Sequence, residues 1–187
     1  MALMGDKCPL VGAVSISSAF DIPLFNEHIK SYLFGAYNFV LGYYLKVSMQ
    51  EPVRIINEMN KKKHPERIMT EEQMNKVYTL TDVTDKILVK VNAFKGGVKG
   101  YYRLCNNVAN FPKIKKPMFF ISALDDPIMG NKVIPFDKVT KNVILGVTKT
   151  GGHVAHFEGL IIPYRLWYLE PAFAFLQYFI NEEDNLK

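Results

Sequence analysis

The sequence predicts an α/β fold built on a parallel sheet of about three strands flanked by helices. The runs at 10–17 (LVGAVSIS), 117–124 (PMFFISAL) and 142–149 (NVILGVTK) are rich in β-branched, aromatic and other apolar residues, and each ends at turn residues. Runs of this kind without strict alternation suit parallel strands covered on both faces. Helical periodicity fills the stretches at 26–49 and 52–63, and the segment at 164–181 is dense in aromatic and aliphatic residues; parallel strands need crossovers of this kind.

After the first strand come about a hundred residues of different character, too many for a plain crossover helix. Within them Thr70-Glu71-Glu72-Gln73 fits a capping box, in which the threonine hydroxyl and the glutamine side chain satisfy amides at a helix start. Residues 23–100 therefore read as one crossover helix plus an inserted helical cap, inside a single domain over 1–187. Gly96-Gly97 and Gly100, ahead of Tyr101-Tyr102, mark the flexible return to the sheet. Beyond the third strand lies Thr150-Gly151-Gly152-His153, then an aromatic C-terminal segment in which Pro171 starts or kinks the main helix. The stretch 32–45 carries Tyr32, Phe34, Tyr37, Phe39, Tyr43 and Tyr44. Its first reading is a buried aromatic core helix, and its second a surface in peripheral contact with a membrane.

Composition excludes several classes. With 49% hydrophobic and 22% charged residues over 187 positions, the chain can bury a core and is neither disordered nor a coiled coil. The net charge of +5 is mild, and the basic runs at 61–64 and 113–116 lack interleaved aromatics, so they read as solvated loops and no nucleic-acid partner is expected. Cys8 and Cys105 form no C-x-x-C pair, which leaves neither a zinc site nor a disulfide framework. Free thiols and the lack of an export signal in this chain lead to an expected intracellular location, compartment unknown. Neither 32–45 nor 159–180 offers the roughly 20 clean apolar residues of a membrane span.

Two candidate catalytic groups follow strands. Asp125-Asp126-Pro127 ends the second run, and His153 follows the third on a Gly-Gly turn. Neighbouring parallel strands place both at the carboxyl edge of the sheet, where open α/β folds hold their ligands. An imidazole acts as a general base when a partner on its other nitrogen fixes the tautomer and stabilises the imidazolium. The competing reading is a plain turn, since aspartate caps its own backbone and proline presets a turn. His28, His64 and His156 have no comparable partner in the sequence and are expected on the surface or satisfied in the core.

Ser15-Ile16-Ser17-Ser18-Ala19-Phe20-Asp21-Ile22, Tyr101-Tyr102, Ala123-Leu124-Asp125-Asp126-Pro127, Asn142, Thr150-Gly151-Gly152-His153-Val154 and Trp167 together resemble the C-terminal half of one α/β-hydrolase branch. That branch holds the yeast medium-chain acyltransferase-esterases, the bacterial YheT-type hydrolases and the abhydrolase-domain phospholipases. The resemblance runs from about residue 5 to 180, is weakest in the cap, and is specific at the Asp-Asp-Pro and Gly-Gly-His blocks. It implies a partial α/β-hydrolase fold and a serine-type ester hydrolase of lipid or medium-chain acyl esters, with His153 as base and no metal or organic cofactor. Asp125 is the first choice for the acid and Asp126 the alternative. Phe25, Phe34, Phe39 and Tyr43 would line an acyl pocket.

The family's nucleophile sits in a G-x-S-x-G elbow, which these residues do not contain. In the family that elbow helix leads into a segment like Gly5-Asp6-Lys7-Cys8-Pro9-Leu10. The resemblance thus implies that the serine, the oxyanion amides and half of the sheet lie upstream, and that the chain alone is inactive. Ser15, Ser17 and Ser18 fall on the family's next strand and turn and are not expected to replace the nucleophile. The open edge of the first strand needs a cover, either the N-terminal half or another protein subunit. The alternatives are a non-catalytic structural subunit of a larger assembly and a lipid-binding module derived from the hydrolase.

Overall fold

A computed structural model of the chain describes residues 1–159 and 164–185, with side chains to Asn181; positions 160–163 of the apolar stretch at 159–180 lie outside the described residues. In chain order the regular elements are strand β1 (Ala13–Ile16), helices α1 (Ile22–Ser31), α2 (Ala36–Asn60), α3 (Glu71–Asn75), α4 (Leu80–Asp82), α5 (Val89–Asn92) and α6 (Gly97–Cys105), strands β2 (Met118–Ala123), β3 (Val143–Thr148), β4 (Phe157–Glu158) and β5 (Arg165–Leu166), and helix α7 (Leu169–Asn185). They pack as two compact units. One holds Met1–Phe25 and the described residues from Asn106 onward, and the other holds Asn26–Cys105.

The first unit is built on a parallel sheet in the order β1-β2-β3. β1 pairs with β2 from Ala13 opposite Met118 to Ile16 opposite Ile121, and β2 pairs with β3 from Met118 opposite Val143 to Ala123 opposite Thr148. Three parallel strands with flanking helices form the partial α/β-hydrolase architecture that the sequence resemblance implies. All three apolar runs become strands, but only β2 is well buried, because β1 and β3 are the two edges and are largely half-buried. Successive residues of a strand point to opposite faces, and β2 uses that directly. Phe120 packs with Phe20 and Phe111, at ring-centroid distances of 5.1 and 5.2 Å, in a cluster closed by Ile114, Val133 and Val143. Phe119 meets Phe175 of α7 at 5.5 Å. Asn142 ties the start of β3 by donating from Nδ2 to the Ile114 carbonyl at 2.8 Å. The short pair β4–β5 is antiparallel.

The second unit is helical. The periodic stretch at 26–49 is broken at Tyr32–Gly35, where Leu33 and Phe34 both have positive φ, 46° and 57°. From Ala36 the chain runs as one 25-residue helix that carries Pro52 in its interior, joining stretches the periodicity had separated. The capping box at α3 is present, with the Gln73 amide donating to Thr70 Oγ1 at 3.2 Å and the Thr70 amide to Gln73 Oε1 at 3.1 Å. A π turn at Val83–Leu88 links α4 to α5. Val53, Met69, Val77, Val83, Ile87 and Val91 form the core of this unit. Asn57 holds the Met69 segment on both sides, accepting from the Met69 amide at 2.9 Å and donating to its carbonyl at 2.7 Å.

The stretch 32–45 is not a buried aromatic core helix. Its large rings at Phe34, Phe39, Tyr43 and Tyr44 are exposed, and α2 buries Asn38 and Gly42 instead. The reason is a close backbone approach. A Cβ on Gly42 would lie 2.2 Å from the Thr79 carbonyl carbon, and Asn38 Oδ1 accepts the Thr81 amide at 3.2 Å. The contact needs a residue without a side chain, so the bulky residues take the opposite face. Gly42→Ala is therefore expected to lower stability by about 1–3 kcal/mol, the usual cost of overpacking, read as a fall in the midpoint of denaturant unfolding.

Candidate active site

The candidate carboxylates and His153 all come from turns at the carboxyl ends of parallel strands. β2 ends at Ala123 and passes into Asp125-Asp126-Pro127. There Asp126 folds its carboxylate back on the chain, and Oδ1 accepts the amides of Ile128 at 2.8 Å and Met129 at 2.9 Å. β3 ends at Thr148, and Gly151 and Gly152 carry the turn with φ of 158° and 59°. A Cβ on Gly151 would sit 2.4 Å from Nδ1 of His156, so this glycine is required by the packing of that ring.

The turns meet through one short contact. His153 Nδ1 lies 3.0 Å from Asp126 Oδ2, with the Asp126 side chain buried and His153 about a quarter exposed. Asp125, the first choice from the sequence, is engaged elsewhere; its Oδ1 accepts the Gly152 amide at 2.9 Å and so fastens the β2 turn to the glycine turn. Burial pushes the Asp126 carboxyl up, but the hydrogen bonds from His153 and from the Met129 and Ile128 amides outweigh it and hold it below the ordinary carboxylate value. Asp126 is then an acceptor only, so Nδ1 of His153 carries the proton and Nε2 is the basic nitrogen. That pairing can run general acid–base chemistry on a proton delivered at Nε2.

Two residues passed over in the sequence shape the same turn. Ser17, at φ 50° just past β1, is buried and accepts the Val154 amide on Oγ at 3.2 Å. A serine immediately after a strand gives no sequence signal for this. His156 is buried rather than superficial, stacked on Trp167 at 6.4 Å and edge-on to Tyr168 at 5.8 Å. Its Nδ1 is 3.5 Å from Thr148 Oγ1, and its buried Nε2 has no hydrogen-bond partner among the described residues. A cavity of about 580 Å³ opens beside it, lined by Asp125, Thr148, Thr150, Gly151, His156 and Trp167 among others. Of the expected acyl-pocket residues, Phe25 packs on the core of the sheet unit, whereas Phe34, Phe39 and Tyr43 are exposed on the helical unit.

The chain is similar over most of its length to curated lipases and esterases. It is 28% identical over 182 residues, 95% of its length, to a monoacylglycerol lipase of Saccharomyces cerevisiae. The relatives of the chain are α/β hydrolases, whose fold its parallel sheet shares in part. Two further relatives are the putative esterase YheT of Escherichia coli, 24% identical over 89% of the chain, and the phospholipase ABHD3 of Mus musculus, 26% identical over 91%. The chain spans less than half the length of these relatives, 38%, 47% and 39% respectively. No family model and no solved structure matches it.

Burial holds the His156 imidazole below its ordinary value, against the opposing pull of Asp125 and Asp126. On acidification the unfolded chain takes that proton first, so the stability His156 contributes is complete above about pH 6.5 and declines as pH falls below it. Thermal melts at about pH 7.5 and about pH 5.5 should therefore differ more for the natural chain than for His156→Phe, which keeps the ring. Equal differences in the two proteins would assign the acid sensitivity to another group.

Proposed function

We propose that the sheet-bearing unit supplies the acid–base arm of a serine-type carboxylic ester hydrolase acting on lipid or medium-chain acyl esters. The observation that carries this reading is the 3.0 Å contact from His153 Nδ1 to the buried Asp126 at the carboxyl edge of the parallel sheet. Relatives named as a monoacylglycerol lipase, an esterase and a phospholipase support the substrate class. Asp126 is the acid in this reading, and Asp125 positions the glycine turn.

The chemistry follows from the two nitrogens. As a serine oxygen attacks the ester carbonyl, Nε2 of His153 takes the serine proton. The resulting imidazolium is stabilised by Asp126, which stays ionised, and returns the proton to the departing alcohol as the acyl-serine forms. Water then repeats the sequence, losing a proton to Nε2 and releasing the acid and the free serine. The 187 residues contain no G-x-S-x-G elbow, so the serine and the oxyanion amides would come from polypeptide outside them. That polypeptide would lie along β1, whose outer edge pairs with no strand among the described residues. Without it the chain is expected to be inactive, since nucleophile and oxyanion donors are both needed for an acyl-enzyme. A buried carboxylate already bonded to the imidazole favours this reading over a purely structural subunit or a lipid-binding module, neither of which needs a fixed tautomer.

A fluorophosphonate probe applied to the protein in its natural source tests the assignment. Labelling is expected on a longer polypeptide that contains this chain or on one that copurifies with it. His153→Ala and Asp126→Asn should each slow labelling by about 10³–10⁴-fold, and Asp125→Asn should slow it far less. Labelling of neither species, or equal loss from Asp125→Asn and Asp126→Asn, would overturn the corresponding part of the proposal.

A further inference from the structure

In the helical unit the exposed face of α2 is the aromatic one. At 100° per residue Phe39, Val40, Tyr43, Tyr44 and Val47 fall within one side of the helix, and all five are exposed, Tyr44 at 67%. The opposite side presents Asn38 and Gly42 to the unit's interior. An ordinary surface helix has the reverse arrangement. The same apolar surface begins one turn earlier, where Leu33 and Phe34 are held in the left-handed backbone region and Phe34 is fully exposed at 105%. Left-handed backbone is unfavourable for branched and bulky residues and marks a site where other contacts compensate.

Charge separates in the same way. Residues 26–105 contain 13 Lys and Arg against 8 Asp and Glu, so the helical unit holds the whole +5 of the chain and the rest is neutral. Lys46 lies at the margin of the aromatic face with its ammonium over the exposed Tyr78 ring at 5.8 Å, and Lys30 precedes the Leu33–Phe34 turn. Tyrosine and phenylalanine rings beside lysines suit the boundary between headgroups and acyl chains, where a ring has one apolar and one wet end. No helix among the described residues is long and apolar enough to cross a membrane, so this surface would rest on a bilayer without spanning it.

We propose that the helical unit docks on anionic bilayers by inserting Leu33, Phe34 and the Phe39–Tyr43–Tyr44 face of α2. The proposal is independent of the hydrolytic reading, because binding is measured without turnover. The occupant is an anionic lipid surface because the apolar face belongs to the only unit with net positive charge. Each Lys or Arg near such a surface is worth about fivefold in binding.

Flotation of the 187-residue chain with phosphatidylcholine vesicles, with and without about one-third phosphatidylserine, tests this. Binding should be at least about tenfold stronger to the anionic vesicles and should weaken as salt rises from about 0.05 to 0.5 M. The double variant Phe34→Ser/Tyr43→Ser should lose at least about tenfold with an unchanged circular dichroism spectrum. If that variant misfolds, Phe34→Trp in a Trp167→Phe background reads the contact directly, with a blue-shifted emission quenched by brominated acyl chains. Equal binding to neutral and anionic vesicles, or an unquenched tryptophan at 34 in vesicle-bound protein, would overturn the proposal. So would self-association in the absence of lipid that Phe34→Ser/Tyr43→Ser abolishes, since the face would then belong to a second copy.

Discussion

The hydrogen-bonded ladder on both sides of β2 fixes most of what the sheet-bearing unit does. Parallel pairing to β1 and β3 sets the three strand ends at one edge, and the turns that leave β2 and β3 there carry the carboxylate and the imidazole. A shift of register by one residue would exchange Phe119 and Phe120 between faces, moving one ring off α7 and the other out of the Phe20–Phe111 cluster. Core packing thereby locks the register, and the register holds Asp126 within reach of His153.

The loop after β3 shows how tightly that reach is defined. Four of its residues, Gly151, Gly152, Val154 and His156, have positive φ, two of them without the freedom of glycine. The cost at Val154 and His156, of order 1–3 kcal/mol each, is offset by bonds from the turns after β1 and β2 and within the loop itself. Asp125 accepts the Gly152 amide, Ser17 accepts the Val154 amide, and the His156 amide closes back on the Gly151 carbonyl at 2.8 Å. Each anchor is a single hydrogen bond, so the loop is held by cooperation among strands and not by its own conformational preference.

The strands and both relay turns were legible because they rest on local chemistry: continuous apolar runs, a proline-marked turn and a pair of glycines. The Thr70–Gln73 cap was legible for the same reason. The choice between Asp125 and Asp126 was not, since it depends on which carboxylate the turn folds inward, and that is set by the Ile128 and Met129 amides and by the position of β3. The aromatic side of α2 was read inward because large rings are usually buried. A single glycine at 42, pressed on Thr79, reverses the helix, and no count of hydrophobic residues registers that contact. The burial of His156 was not legible for a related reason, since the ring it meets, Trp167, follows a strand pair whose partners cannot be read from a two-residue run.

The order of the sheet has a kinetic side as well. β2 and β3 are joined by about twenty residues, whereas β1 and β2 are separated by about a hundred, about four-fifths of the latter lying in the helical unit. Closing the longer loop costs about 1.4 kcal/mol more in chain entropy if the intervening residues are unstructured. Collapse of 26–105 onto its own core removes most of that penalty, because a folded insertion shortens the effective distance between β1 and β2. The helical unit is thus also a folding aid, turning the most distant strand pairing in the chain into a nearly local one.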